Sequence, residues 1–187
     1  MEKYETIKKE IQRVIKKSPL KFDPGHSNKT LEWVLKLKPD ADEALKIAAL
    51  AHDIERAETG ITEGTHLTDY SKLSEFKKEH ALRSAQIITE LLRKNAYSQE
   101  FIKKVENLVK KHEEGGDEET NVLMDADSIA YFDYHIDKYY AKNGRDKTAS
   151  KISFMFQRIS DRAKGIIKNL EFNNPEVKKL VDEVLNK

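Results

Sequence analysis

No cysteine occurs anywhere in the 187 residues, which removes disulfides, thiolate zinc sites and cysteine nucleophiles and leaves His, Asp and Glu as metal-holding side chains. Long apolar runs are missing as well. Nothing approaches the roughly 18 consecutive apolar residues needed to cross a bilayer, and the amino-terminal stretch MEKYETIKKE lacks the apolar core of a signal peptide. The cytoplasm is therefore the expected compartment, and no membrane partner is expected. An excess of one charge is also absent, with 34 basic against 33 acidic residues, so no nucleic-acid surface is expected to dominate and no DNA-binding role is predicted. Strand-like alternation, internal repeats and low-complexity tracts are not found.

What remains is a chain rich in charge (36%) and in apolar residues (38%), long enough to bury a core without staples. Residues 1–187 read as one domain. Ile7, Ile11, Val14 and Ile15 lie at helical spacing, so the first segment is an amphipathic helix ending before Pro19. SPLKFDPGH reads as a connector in which Pro24-Gly25 forces a turn, and SNKTLEWVLKL resumes a helix that stops at Pro39. From Asp42 to about Arg56 apolar residues crowd together, as in a helix buried on several sides. Glu58 to roughly Lys72, with Gly60, Gly64 and several threonines, reads as a long loop of the kind that serves as a lid. FKKEHALRSAQIITELLRK, SQEFIKKVENLVKKHEE, NVLMDADSIAYFDYHIDKYYAK, TASKISFMFQRISDRAKGIIKNL and NPEVKKLVDEVLNK complete an all-α bundle of about seven to nine helices.

The central helix ends on His52-Asp53. Desolvating such a pair costs several kcal/mol unless it is paired or bound to a cation. Further ligand types are scattered beside other helices: His26 after the Asp-Pro-Gly turn, His80, His112, and Asp125 in LMDADSIA. They are too far apart to cooperate locally, so the expectation is that the bundle gathers them at one centre. Asp125 has a second reading as a helix N-cap, in which case Asp127 is the ligand. His66 reads as a surface histidine. His135, among Tyr131, Phe132, Tyr134, Tyr139 and Tyr140, reads as part of a core or pocket wall, Trp33 as core, and the lysine-rich stretches as solvated faces.

The ordered set His26, His52-Asp53, His80, His112, Asp125, with its surroundings GHSNKTLEWV, LKIAALAHDI, EHALRSAQIITELL and LMDADSIA, resembles the HD-domain metal-dependent phosphohydrolases over about residues 21–163, leaving 164–187 as a helical extension. The resemblance implies one or two divalent ions of the Mn, Fe, Co, Ni or Mg type. It assigns His26, His52, Asp53 and Asp125 to the first and His80 and His112 to a second, with Asp53 between them. The implied activity is hydrolysis of a phosphate monoester or diester, the partner a small phosphorylated molecule such as a nucleotide. The two alternatives are a di-iron oxygenase using the same ligands and a non-catalytic nucleotide-binding regulatory domain. Asp53 and Arg56 are the expected catalytic residues. Where relatives carry an acidic residue three positions past the His-Asp aspartate, this chain has Arg56, which suits phosphate better than water; Glu55, one position early, is expected to point elsewhere. Lys29 and Arg83, each three residues past a proposed ligand histidine, share its helix face and could also meet phosphate. A homodimer is compatible with all of this.

Overall fold

The densest apolar stretch of the chain becomes the middle of the structure. In α3 (Glu43–Ala51) Ala44, Leu45, Ile47, Ala48, Ala49, Leu50 and Ala51 are all fully buried, and its alanines let neighbouring helices approach closely. Asp42 starts the helix by accepting a hydrogen bond from the Leu45 amide at 2.9 Å. Against α3 pack α1 (Glu2–Ile15), α2 (Asp23–Leu37), α7 (Gln99–Lys111) and α8 (Glu118–Tyr134). A long α6 (Leu73–Lys94) lies along α7. The chain closes with α9 (Ile136–Arg158), α10 (Asp161–Lys168) and α11 (Pro175–Leu185). Two short helices, α4 (Glu55–Thr59) and α5 (Glu63–His66), and a 3-10 turn at Tyr70–Lys72 lie between α3 and α6.

This computed structural model describes residues 2–67 and 69–185. Among them the protein is all-α, without strands, and nine of its helices are eight residues or longer. No helix among the described residues is long and apolar enough to cross a membrane.

Several element ends differ from the sequence reading, each for a local reason. The central helix stops at Ala51 rather than near Arg56: His52, Asp53 and Ile54 form a tightened turn, with the Ile54 amide bonded to Ala51 O at 3.0 Å. Pro24-Gly25 opens α2 instead of turning the chain, since proline is favoured in a first helical turn, where its missing N–H has no partner to lose. Gly25 is needed there because a Cβ would lie 2.1 Å from the Tyr134 hydroxyl. The segment read as one helix over 121–142 breaks at His135, and that over 148–170 breaks at Ile159-Ser160, where Ser160 caps α10 through the Ala163 amide. Within α9, Gly144 takes φ 76° and kinks the helix. The segment 58–72 is largely helical in short pieces; Thr68 and the terminal residues 186–187 of the last predicted helix lie outside the described residues.

One core runs from Ile7 to Val181 and includes Ile167, Val177 and Leu180. The carboxy-terminal stretch is thus part of the bundle, with α11 packed on α9 and α10, rather than an appendage to it. Leu180→Ala is expected to destabilise the whole chain by about 2–5 kcal/mol in a single denaturant transition. A separate early transition for the last helix would contradict this.

Candidate metal centre

Two of the gathered histidines occupy the same kind of position. His52 and His112 are the C-cap residues of α3 and α7, where the last carbonyls of a helix lack internal partners. Each ring folds back to donate Nδ1–H to the carbonyl three residues earlier, His52 to Ala49 at 2.9 Å and His112 to Val109 at 2.7 Å. A carbonyl can only accept, so the proton on each neutral ring is on Nδ1 and the Nε2 lone pair points inward. His80, in mid α6, is fixed likewise by Glu55, whose Oε1 accepts from Nδ1 at 2.8 Å. Glu55, expected to point elsewhere, is instead buried against His80, where it orients the ring.

The inward nitrogens meet carboxylates in two adjoining triads. In the first, His26 from the opening turn of α2 places Nε2 2.9 Å from Asp127 Oδ1 and 3.2 Å from His52 Nε2. In the second, His80 Nε2 lies 2.8 Å from Asp53 Oδ1, with His112 completing the set. Within each triad the potential ligand atoms lie within 4.8 Å of one another, and all six residues are buried. Asp53 joins the triads: Oδ1 faces His80, while Oδ2 lies 3.5 Å from His52 Nε2 and 3.8 Å from His26 Nε2.

The arrangement passes a simple test for a metal. His112 Nε2 is buried without a hydrogen-bond partner, which costs stability unless a cation takes its lone pair. Burial also pushes the His112 pKa down, keeping that ring neutral. His26 Nε2 and His52 Nε2 lie 3.2 Å apart with Asp127 Oδ1 2.9 Å from the first, a grouping that needs a proton or a metal among its atoms. Mixed imidazole and carboxylate donors suit first-row divalent ions. These buried groups could hold a metal ion.

Charges around the triads are matched in layers. Burial would raise the Asp53 pKa, but Arg56, His52 and His80 hold it well below the usual range. Asp127 is likewise held low against its burial by His26, His52 and Arg158. Arg56 Nη1 is bonded to Asp53 and lies 3.3 Å from Asp23 Oδ1. Arg158 spans Asp127, 3.0 Å away, and Glu113. One oxygen of Glu113 sits 2.7 Å from Lys77 Nζ and 3.5 Å from His112 Nε2. For His52, burial opposes the charged ring, yet Asp53 and Asp127 outweigh it and lift its pKa to about 9.

Of the residues picked from sequence, His26, His52, Asp53, His80 and His112 come together, and Arg56 joins them through Asp53. Asp125 does not. Its carboxylate accepts from Ser160 N at 2.9 Å and Ser160 Oγ at 2.5 Å, at the start of α10. Two positions along a helix are about 200° apart, so when Asp127 faces the histidines Asp125 must face elsewhere; Asp127 is the ligand-set carboxylate. Lys29 is not at the site either, being engaged by Glu32 at 2.9 Å and Asp133 at 3.6 Å. Arg83 sits behind His80, bonded to Glu55 at 3.2 Å and Glu79 at 3.4 Å. His66 is exposed, His135 stacks on Phe22 at 3.7 Å, and Trp33 is buried with its Nε1 donating to Asp133.

The sequence reading missed Glu55, Glu113, Lys77, Lys151 and Arg158. Weak signals existed: Lys77 precedes His80 by three residues, Glu113 adjoins His112, and Lys151 and Arg158 lie two turns apart among the apolar residues of α9.

Residues 6–181 match the model of the family described as "Domain of unknown function (DUF4202)". No curated protein and no solved structure matches the chain.

Asp127→Asn is expected to lower metal content sharply, while Asp125→Asn keeps it and loses about 1 kcal/mol of stability with its bonds to Ser160; elemental analysis and melting of both variants check this. The raised pKa of His52 sets a second expectation. Its protonated form stabilises the metal-stripped chain fully below pH 6.5, and that contribution is lost as pH rises through about 9. Because metal must displace this proton, metal affinity should rise by about tenfold per pH unit over the same window, as read by competition with a chromogenic chelator.

Proposed function

We propose that this chain, which belongs to the DUF4202 family, is a metal-dependent phosphohydrolase acting on a phosphate monoester or diester of a nucleotide or similar small molecule. The observation that carries the reading is the pair of buried triads His26/His52/Asp127 and Asp53/His80/His112, joined by Asp53. The resemblance of the ordered motifs to HD-domain phosphohydrolases supports it, with Asp127 taking the place expected of Asp125.

Bound there, a divalent ion such as Mn, Fe, Co, Ni or Mg would bring a coordinated water toward ionisation near neutral pH and offset charge building on phosphoryl oxygens. The chain's own groups do the rest. Ala49 O, Val109 O and Glu55 fix three imidazoles with Nε2 inward, so no reorganisation is needed when the ligands engage. Asp53 offers one oxygen to each triad. Arg56 presents its guanidinium at Asp53, where its remaining N–H groups can take phosphoryl oxygens in a bidentate manner. Arg158 holds the second oxygen of Asp127 and keeps its first turned to His26 and His52. Burial of all six ligand-set residues excludes bulk water and strengthens each of these interactions.

The two-triad arrangement also suits the alternative of a di-iron oxygenase, since it offers three donors to each of two ions. Elemental analysis, EPR of an anaerobic preparation and a screen of phosphorylated metabolites separate the two. Phosphatase turnover is expected with Mn, Co or Ni restored, and to fall at least ~100-fold in His52→Ala and Asp53→Ala together with metal content. Two irons per chain with a mixed-valence signal and no hydrolysis would favour the oxygenase. Folded variants that keep full turnover and metal would refute both.

A further inference from the structure

Beside the triads, a carboxylate occupies a pocket of cations in a way its own segment does not explain. Lys151, on α9, is 9% exposed, and its Nζ lies 3.2 Å from both oxygens of Glu63. Among the described residues Lys151 has no other ion-pair partner. Lys77, on α6, lies 3.5 Å from the same Glu63 oxygen and 2.7 Å from Glu113. Glu63 belongs to α5, a four-residue helix with no buried residue, whose Gly64, Thr65 and His66 are exposed.

A buried ammonium is stable only when paired, and here its partner comes from a segment with few apolar anchors. Such segments open most readily. Although burial would raise it, Lys151, Lys77 and Arg56 hold the Glu63 pKa down to about 2, so it is an anion whenever it sits there. Glu113, by contrast, follows α7 and is fixed by Arg158 and Lys77. Removal of Glu63 alone would leave Lys151 unpaired, while Lys77, its neighbour across Glu63, stays one carboxylate, Glu113, away from His112 Nε2. The contact of one ammonium with two oxygens is also the contact a phosphoryl edge makes.

We infer that Lys77 and Lys151 form an anion subsite for a second phosphoryl group of the substrate, and that Glu63 fills it until the substrate displaces it. The substrate is then one with two neighbouring phosphoryl groups, one at the triads and one at the lysines. This rests on the phosphohydrolase reading for the word substrate, but the anion site itself does not require metal.

Calorimetric titration of the full chain with inorganic pyrophosphate, after metal is stripped with a chelator, tests the site separately. Glu63→Gln is expected to bind pyrophosphate about tenfold more tightly than the wild type, and Lys151→Met about tenfold more weakly, with circular dichroism and melting temperature verifying the fold. Unchanged affinity in a folded Glu63→Gln chain would overturn the proposal. So would a Glu63→Gln chain that fails to fold, because Glu63 would then be a structural strap. Should Lys151→Met not fold, Lys77→Met takes its place with the same expectation. A chain without metal or turnover in which Glu63→Gln still tightens pyrophosphate binding loses the hydrolase reading and keeps the subsite; a metal-loaded, active chain with no such effect does the reverse.

Discussion

Six buried ionisable side chains share one small volume, and that crowding is the constraint to which the surrounding structure answers. In each triad carboxylates and imidazoles with donor atoms within 4.8 Å of one another are held apart from water, which costs each charged group several kcal/mol of solvation without compensation. A cation at the centre would supply that compensation most directly. The protein supplies the outer part: Arg56 on Asp53, Arg158 on Asp127 and Glu113, and Lys77 between Glu113 and Glu63. Inner acids meet cations, and those cations meet outer acids, so charge is balanced within contact distance at every step.

Helix ends do much of the positioning. His52 and His112 stand where α3 and α7 stop, and each satisfies a terminal carbonyl with Nδ1 while turning Nε2 to the centre. His52 and Asp53 both reach the triads because Asp53 divides its oxygens, Oδ2 lying 3.5 Å from His52 Nε2 and Oδ1 2.8 Å from His80 Nε2. His26 comes from the first turn of α2, where Pro24 sets the start of the helix and Gly25 admits Tyr134. The apolar core underneath is one body from α1 to α11, so side chains 101 residues apart, such as His26 and Asp127, are held by the same packing. Rigidity of this kind is what a preorganised site requires.

The segment between α3 and α6 is built differently. Its first helix, α4, is anchored by buried Glu55 on His80, whereas α5 is held by Thr62, which is buried, and by Glu63 among the lysines. Its position over the cationic side of the triads, rather than over the histidines, gives that side a chemistry of its own. Arg56, at the start of the same segment, is tied to Asp53 and Asp23 and links the two regions.

Much of the fold and part of the site could be read directly from the chain. The 3.6-residue spacing of apolar positions marks helices because burial of one stripe requires it, and five of the six side chains of the two triads stood out because histidine is scarce and His52-Asp53 interrupts an apolar run. Composition excluded thiolate chemistry outright. What the sequence could not decide was direction. Asp125 and Asp127 are equivalent as letters, and only the packing of α8 between α2 and α10 turns one to the histidines and the other to Ser160. Lys77, Lys151 and Arg158 look like ordinary surface charges until α6 and α9 bring them against Glu63, Glu113 and Asp127. Local spacing determines which elements form, because hydrogen bonds within a helix are local; which charges share a pocket depends on long-range packing that no short window of sequence contains.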